Sequence, residues 1–173
     1  MGSQKMYRKA VPSDAAAIAA IYERIHDGEE AGRSSIGWRR GVYPTLATAE
    51  RAIAEGEMYV SEHEGVLYAA GRINQKQEEV YYAVPWLYPA EDSDVLVLHT
   101  LVVDPPYTGK GEGSGFVAFY GAMARSMGCK VLRMDTNARN EKARRLYKRL
   151  GYREAGIMPC VFNGIAGVGL VCL

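Results

Sequence analysis

No stretch of the sequence approaches the roughly 18 consecutive apolar residues that a membrane span needs, so no membrane partner is expected. No charged segment followed by an apolar one marks a secretory signal. Met1-Gly2-Ser3 has Met6 where a myristoylation signal requires Ser or Thr. Cysteine is scarce and odd in number. Cys129, Cys160 and Cys172 lie in largely apolar surroundings and at no metal-ligand spacing, so they read as reduced thiols of a cytoplasmic protein. Three scattered histidines argue further against a zinc site, and no metal is expected. Internal repeats and low-complexity segments are absent. That leaves one domain over residues 1–173, long enough to bury a full core.

What is present is an ordinary globular composition, 48% hydrophobic and 24% charged, with an uneven charge distribution. Net charge is only +1. Residues 1–104 nevertheless carry 10 basic against 16 acidic side chains, and residues 105–173 carry 11 against 4. The basic part suits an anionic partner.

Apolar periodicity outlines the elements. Met6–Ala10 reads as a strand. Ser13 caps a helix marked by Ile18, Ile21, Tyr22 and Ile25. Residues 27–41 read as a loop or irregular helix, and Thr45–Glu55 as a helix stopped by Gly56. Met58–Ser61 and Val66–Arg72 form a hairpin about Glu64-Gly65, and Glu79–Ala83 reads as a further strand. Val95–Val103 is apolar at almost every position and reads as a central strand buried on both faces. Phe116, Val117, Tyr120, Met123 and Met127 mark a helix ended by Gly128, and Val131–Thr136 is the next strand. Asn140 caps a helix whose apolar face holds Ala143, Leu146, Tyr147 and Leu150, and Gly156–Leu173 offers two more strands.

Between the central strand and the next helix stands VDPPYTGKGEGSGF, Val103–Phe116, with glycines at 109, 111, 113 and 115. A glycine-rich turn into a helix N-terminus presents unpaired N–H groups and a favourable dipole to phosphate. A P-loop is excluded, because Gly109-Lys110 is followed by Gly111 rather than Ser or Thr. The strictly alternating glycines also fail the dinucleotide fingerprint, although an acid, Asp135, follows about 20 residues on.

The loop resembles the pyrophosphate loop of GNAT superfamily N-acetyltransferases, with Thr108, Gly109, Lys110, Gly111, Glu112 and Gly113 on its six positions. Thr108 replaces the usual Gln or Arg and cannot reproduce a long donor's contact. DTNARNEKARRLYKRLGY, Asp135–Tyr152, resembles the family's second segment through Asn140, Ala143, Tyr147, Gly151 and Tyr152. The opening YRKAVPSDAAAIAAIY is similar to the family's first strand and helix, so the likeness covers essentially the whole chain. It implies an α/β GNAT fold: a mixed, twisted central sheet flanked by helices, with acetyl-coenzyme A in a V-shaped opening between strands 95–103 and 131–136. A bulge near Leu101, Val102 and Val103 would free main-chain groups for the pantetheine arm. Thr108 to Ser114 would hold the pyrophosphate, and Asn137, Asn140, Ala143 and Tyr147 would complete the cofactor site. Lys110, Lys142, Arg144, Arg145 and Lys148 are candidates to neutralise the phosphates.

The implied chemistry is acyl transfer from a thioester to an amine. In water roughly 1 in 2,500 alkyl ammonium ions is neutral at pH 7, so a proton acceptor helps. Tyr147 is the expected acid or thiol-orienting donor, as implied by the resemblance; by periodicity alone it belongs to the apolar stripe of its helix. His99, read on one face with Val97, Leu101 and Val103, is either a hydrogen-bonded core residue or the base. Glu79, Glu91 and Asp94 are alternatives. Trp38, Tyr43, Tyr81, Tyr82 and Trp86 are aromatic candidates for an acceptor pocket, of which Trp38, Tyr43 and Tyr81 are chosen. Arg39 and Arg40 would favour an acceptor carrying a carboxylate or phosphate. The expected acceptor is a small-molecule or peptide amine, the expected mode direct transfer in a ternary complex, and a homodimer is left open. A non-catalytic acyl-coenzyme A sensor is the alternative reading. A nucleic-acid-binding role for the basic segment 139–153 ranks below both, because its apolar face must be buried.

Overall fold

The computed structural model describes residues 5–173; Met1-Gly2-Ser3 lies outside that range. Among the described residues one seven-stranded sheet runs in the order β1-β2-β3-β4-β5-β7-β6. The strands are β1 (Met6–Lys9), β2 (Met58–His63), β3 (Val66–Asn74), β4 (Val95–Val103), β5 (Val131–Asn137), β6 (Gly156–Phe162) and β7 (Ile165–Cys172). The helices are α1 (Ala15–Glu30), α2 (Leu46–Ala54), α3 (Glu112–Met127) and α4 (Glu141–Arg149). This is a mixed sheet flanked by helices, the α/β architecture that the sequence resemblance implies.

Each face of the sheet is covered because each helix carries one apolar stripe. Ile18, Ile21, Tyr22 and Ile25 of α1 pack with Ala49 and Ala52 of α2 over Met58, Val60 and Val102. Phe116, Val117, Tyr120 and Ala124 of α3 pack over Leu96, Leu98 and Met134 on the other side. The buried Tyr120 hydroxyl lies 2.6 Å from the Leu96 carbonyl and 3.0 Å from that of Arg133, which fixes α3 across the two central strands.

Only β4 and β5 run parallel, and they pair only from Val95–Leu98 with Val131–Met134. Beyond that point β5 turns to β7, with Asp135, Thr136 and Asn137 opposite Cys172, Val171 and Leu170. The end of β4 stays with β3. The two parallel strands therefore part, and a V-shaped opening lies between them.

The bulge that helps to part them falls slightly earlier than expected. Ala70 faces Val102 while Arg72 faces His99, so β4 places Thr100 and Leu101 opposite Gly71. Thr100 adopts φ 52°. One extra residue flips the alternation of side chains. His99 thus shares a face with Val97 but not with Leu101 and Val103, which pack on the α3 side.

Two further expectations change. Glu79–Ala83 is a 3₁₀ helix rather than a strand, with Tyr81 fully buried and the Val84 N–H donating to the Tyr81 carbonyl. β3 lies between β2 and β4, and the start of β4 lies between β3 and β5, so the neighbouring strands offer this segment no free edge there. Ser13 lies inside a 3₁₀ turn, Pro12–Asp14, and Asp14 takes the α1 N-cap position. The Asp14 carboxylate accepts from the Val11 N–H at 2.8 Å and from Arg8.

Candidate active site

The turn from β4 into α3 is built around two left-handed residues, Gly109 at φ 77° and Gly111 at φ 84°. A Cβ at either would meet nothing within 4 Å, so conformation requires these glycines. Gly113 and Gly115 are small for another reason. A Cβ on Gly115 would stand 2.4 Å from the Tyr7 hydroxyl, and one on Gly113 would stand 3.1 Å from Leu146. None of the main-chain N–H groups from Gly109 to Ser114 makes a well-formed hydrogen bond to another group among the described residues. They open α3, whose dipole adds positive potential. Glu112 stands among them, but its carboxylate lies 2.5 Å from the Lys5 ammonium, which draws the negative charge toward the sheet edge.

A cleft of about 970 Å³ runs from this turn along the V-shaped opening. Of the expected cofactor residues, Leu101, Val102, Val103, Thr108, Gly109, Gly111, Glu112, Gly113, Ser114, Asn137, Asn140, Ala143 and Tyr147 all line it. Lys110 does not; its ammonium lies over the Tyr107 ring, 5.9 Å from the centroid. Asn140 caps α4 through its Oδ1, which accepts from the Ala143 N–H at 3.2 Å. The basic rim is drawn differently from the expectation. Lys142 and Arg145 border the cleft, together with Arg33, Arg139 and Arg149, which sequence reasoning passed over. Arg144 is held by Glu154 at 2.8–2.9 Å and donates to the Ala138 carbonyl, so it is not free to face a phosphate. Lys148 is not on the cleft.

A second cleft of about 500 Å³ opens on the far side of the bulge. The two clefts share Tyr43, Thr100, Asp135, Phe162 and Asn163, so they meet at the point where β4 and β5 part. Trp38 lines the larger cleft and packs edge-on against Tyr43, 6.1 Å between centroids. The Tyr43 hydroxyl bonds to that of Thr100. Tyr81 is placed otherwise than expected: it is buried beneath the junction, and its hydroxyl donates to Asp135 Oδ2 at 2.6 Å. Tyr82 is exposed and bonded to Asp92, and Trp86 lies under the Arg133 guanidinium at 4.1 Å, so neither enters a cleft. Arg40 is occupied by Glu23, Asp27 and Glu30.

His99 lines the smaller cleft, yet both of its nitrogens are engaged. Nε2 donates to Asn74 Oδ1 at 2.7 Å, and Nδ1 lies 3.2 Å from Glu78 Oε1. Glu79, Glu91 and Asp94 line neither cleft. The carboxylate that does reach the junction is Asp135, which the sequence offered only as an acid in the wrong kind of loop. Burial pushes its pKa up to about 6, against the pull of the Tyr81 hydrogen bond and of nearby His99. Tyr147 is 7% exposed and its hydroxyl has no hydrogen bond among the described residues; burial, with the nearby Asp135 charge, raises its pKa well above the ordinary phenol value. Among the described residues no group of three or more His, Cys, Asp or Glu is placed to hold a metal, and no helix is long and apolar enough to cross a membrane.

Two clefts thus meet at one junction, with Asp135 between them. The model of the acetyltransferase (GNAT) family matches residues 19–152. YhfO of Bacillus subtilis, described as an uncharacterized N-acetyltransferase, is 28% identical over 151 residues, covering 85% of this chain and 89% of its own. A GNAT-family acetyltransferase of Streptococcus agalactiae superposes with a TM-score of 0.75 at 23% identity, covering 99% of this chain and 95% of its own. The structure of yncA from Salmonella typhimurium, solved with its cofactor acetyl-CoA, gives a TM-score of 0.66 at 23% identity, over 98% and 92% of the two chains. The chain belongs to the GNAT acetyltransferase family, and is thus an acyltransferase.

Proposed function

We propose that the protein moves the acetyl group of acetyl-coenzyme A to a primary amine by direct attack when both are bound. The observation that carries this reading is the run of uncommitted N–H groups at Gly109–Ser114, set at the phosphate end of a cleft whose other end meets a second cleft. The turn would hold the pyrophosphate. Arg33, Arg139, Lys142, Arg145 and Arg149 would face the remaining phosphate charge. The thioester would then lie beside Leu101–Val103, where β4 has lost β5 as a neighbour.

The amine would approach from the smaller cleft. As its nitrogen bonds to the thioester carbon, its acidity rises and Asp135 takes the proton. A carboxylate with a pKa near 6 is mostly ionised at pH 7 yet more basic than an ordinary aspartate. The tetrahedral intermediate collapses with loss of the C–S bond. Tyr147, which keeps its proton at neutral pH, would donate a hydrogen bond to the leaving sulfur. A phenol less acidic than a thiol, whose pKa is about 8.5, stabilises a thiolate by donating rather than by yielding its proton. His99, with both nitrogens engaged, would position Glu78 and Asn74 at the cleft wall.

Calorimetry with coenzyme A tests the cofactor half of the proposal, and a thiol-release assay with acetyl-coenzyme A over a panel of amines tests the transfer half. Heat of binding with thiol release is the expected result. Binding without release from any amine would favour the acyl-coenzyme A sensor, and no binding would overturn both readings.

A further inference from the structure

The smaller cleft is lined by groups of both signs. Asp135, shared with the larger cleft, and Glu78 are its acids. Arg51 of α2, Arg72 of β3 and Lys76 just beyond β3 are its cations, beside Thr48. Glu55 and Glu57 already answer Arg72 and Lys76. The Glu57 carboxylate is held down at about 2, because hydrogen bonds from Asn74, Lys76 and Arg72 outweigh the opposing effect of its burial. Arg51 is left with no ion pair among the described residues, and Arg72 Nη1 with no hydrogen bond. Arg51 and one nitrogen of Arg72 are therefore cationic donors on the cleft that internal pairing leaves uncommitted.

A second, independent observation points the same way. Tyr22 lines this cleft at 1% exposure, and its hydroxyl has no hydrogen-bond partner among the described residues. A buried hydroxyl without an acceptor costs about 1–3 kcal/mol, and an incoming acid oxygen would satisfy it. Nothing inside the molecule uses this donor.

We infer that the acceptor is a zwitterion of amino-acid type: its amine lies toward Asp135 and Glu78, and its carboxylate toward Arg51, Arg72 and the Tyr22 hydroxyl. This rests on the transferase reading above. About 500 Å³ is ample room for an amino acid or a dipeptide. An acceptor with amines at both ends, such as a polyamine, would set a cation against Arg51.

The test compares matched trios in the thiol-release assay with acetyl-coenzyme A: an α-amino acid, its carboxamide and its decarboxylated amine, for small, aliphatic, aromatic and acidic side chains. The acid of at least one trio is expected to exceed its carboxamide in kcat/KM by on the order of 10- to 100-fold, the worth of one charged hydrogen bond. Arg51→Gln, on an exposed helix face, should collapse that ratio mainly through KM for the acid. Tyr22→Phe should raise the same KM without lowering the melting temperature, a result that a purely structural tyrosine would not give. Equal rates for acid and carboxamide in every trio overturn the inference and leave amine transfer standing. No turnover with any trio also overturns it, and coenzyme A calorimetry then tells whether the transferase reading falls with it.

Discussion

Asp135 joins the chemistry of the site to the stability of the molecule. Its carboxyl is destabilised by burial and carries a folded pKa near 6. Between the unfolded value, about 3.9, and that figure the native state binds more protons than the unfolded one. Stability from this group is therefore full below about pH 4, falls as pH rises to 6, and is absent above. Asp135→Asn keeps an acceptor for the Tyr81 hydroxyl and removes the buried charge. It should raise stability at pH 8 by roughly 1–3 kcal/mol, with no gain at pH 4. The same change should lower kcat by on the order of 10²-fold and abolish an acid limb centred near pH 6. Thermal melts and a kcat–pH profile check both signs, and a melting temperature that falls at pH 8 would contradict the account. Tyr147 gives the complementary case. Its hydroxyl has no native hydrogen bond to lose, so Tyr147→Phe should leave folding and coenzyme A affinity within about twofold while kcat drops at least tenfold. Calorimetry beside initial rates separates the two.

At the scale of the element, the four alternating glycines divide into two pairs with different duties. Gly111→Ala places a side chain at φ 84° in open space, which strains the turn by about 1 kcal/mol and spoils the aim of the N–H groups. Its main effect should be on coenzyme A affinity. Gly115→Ala drives a methyl into the Tyr7 hydroxyl, so its main effect should be on stability, by about 1–3 kcal/mol. A melting curve and a binding isotherm for each variant should show this crossed pattern; two variants that lose affinity alike would refute the division. The sequence carried the turn, the helix it opens and the Asn140 cap, because each is dictated by local residue chemistry. It did not carry the division of the glycines, since Tyr7 lies more than a hundred residues away. The bulge is expected near Leu101–Val103 through the family resemblance, but its position at Thr100 is not, and that shift moves His99 to the opposite face from Leu101. Glu79–Ala83 misled for a similar reason: its alternation suits a strand, but β3 is flanked on both sides and β4 is flanked over Val95–Leu98. Asp135 was readable in principle as the lone acid at the carboxyl end of a buried parallel strand, where ligands of α/β sheets gather.

For the molecule as a whole, the proposed function ties the kinetic order of events to the two clefts. Among the described residues they share Tyr43, Thr100, Asp135, Phe162 and Asn163, so under the proposed function a thioester in one and an amine in the other would face each other directly. Transfer through an acyl-enzyme would need a nucleophile at that junction. Cys129, Cys160 and Cys172 line neither cleft, and burial raises the pKa of each, which keeps them as thiols at neutral pH. Direct transfer follows if the proposed function holds. Initial rates at varied acetyl-coenzyme A and fixed acceptor levels should then give intersecting rather than parallel double-reciprocal lines. Mass spectrometry of protein mixed with acetyl-coenzyme A alone should find no added acetyl group. Cys160→Ser, on β6 two residues before the junction residue Phe162, should leave turnover within about twofold, because a thiol outside both clefts contributes packing and no chemistry. Parallel lines together with an acetylated protein would place a covalent carrier at the junction and displace Asp135 from its assigned part.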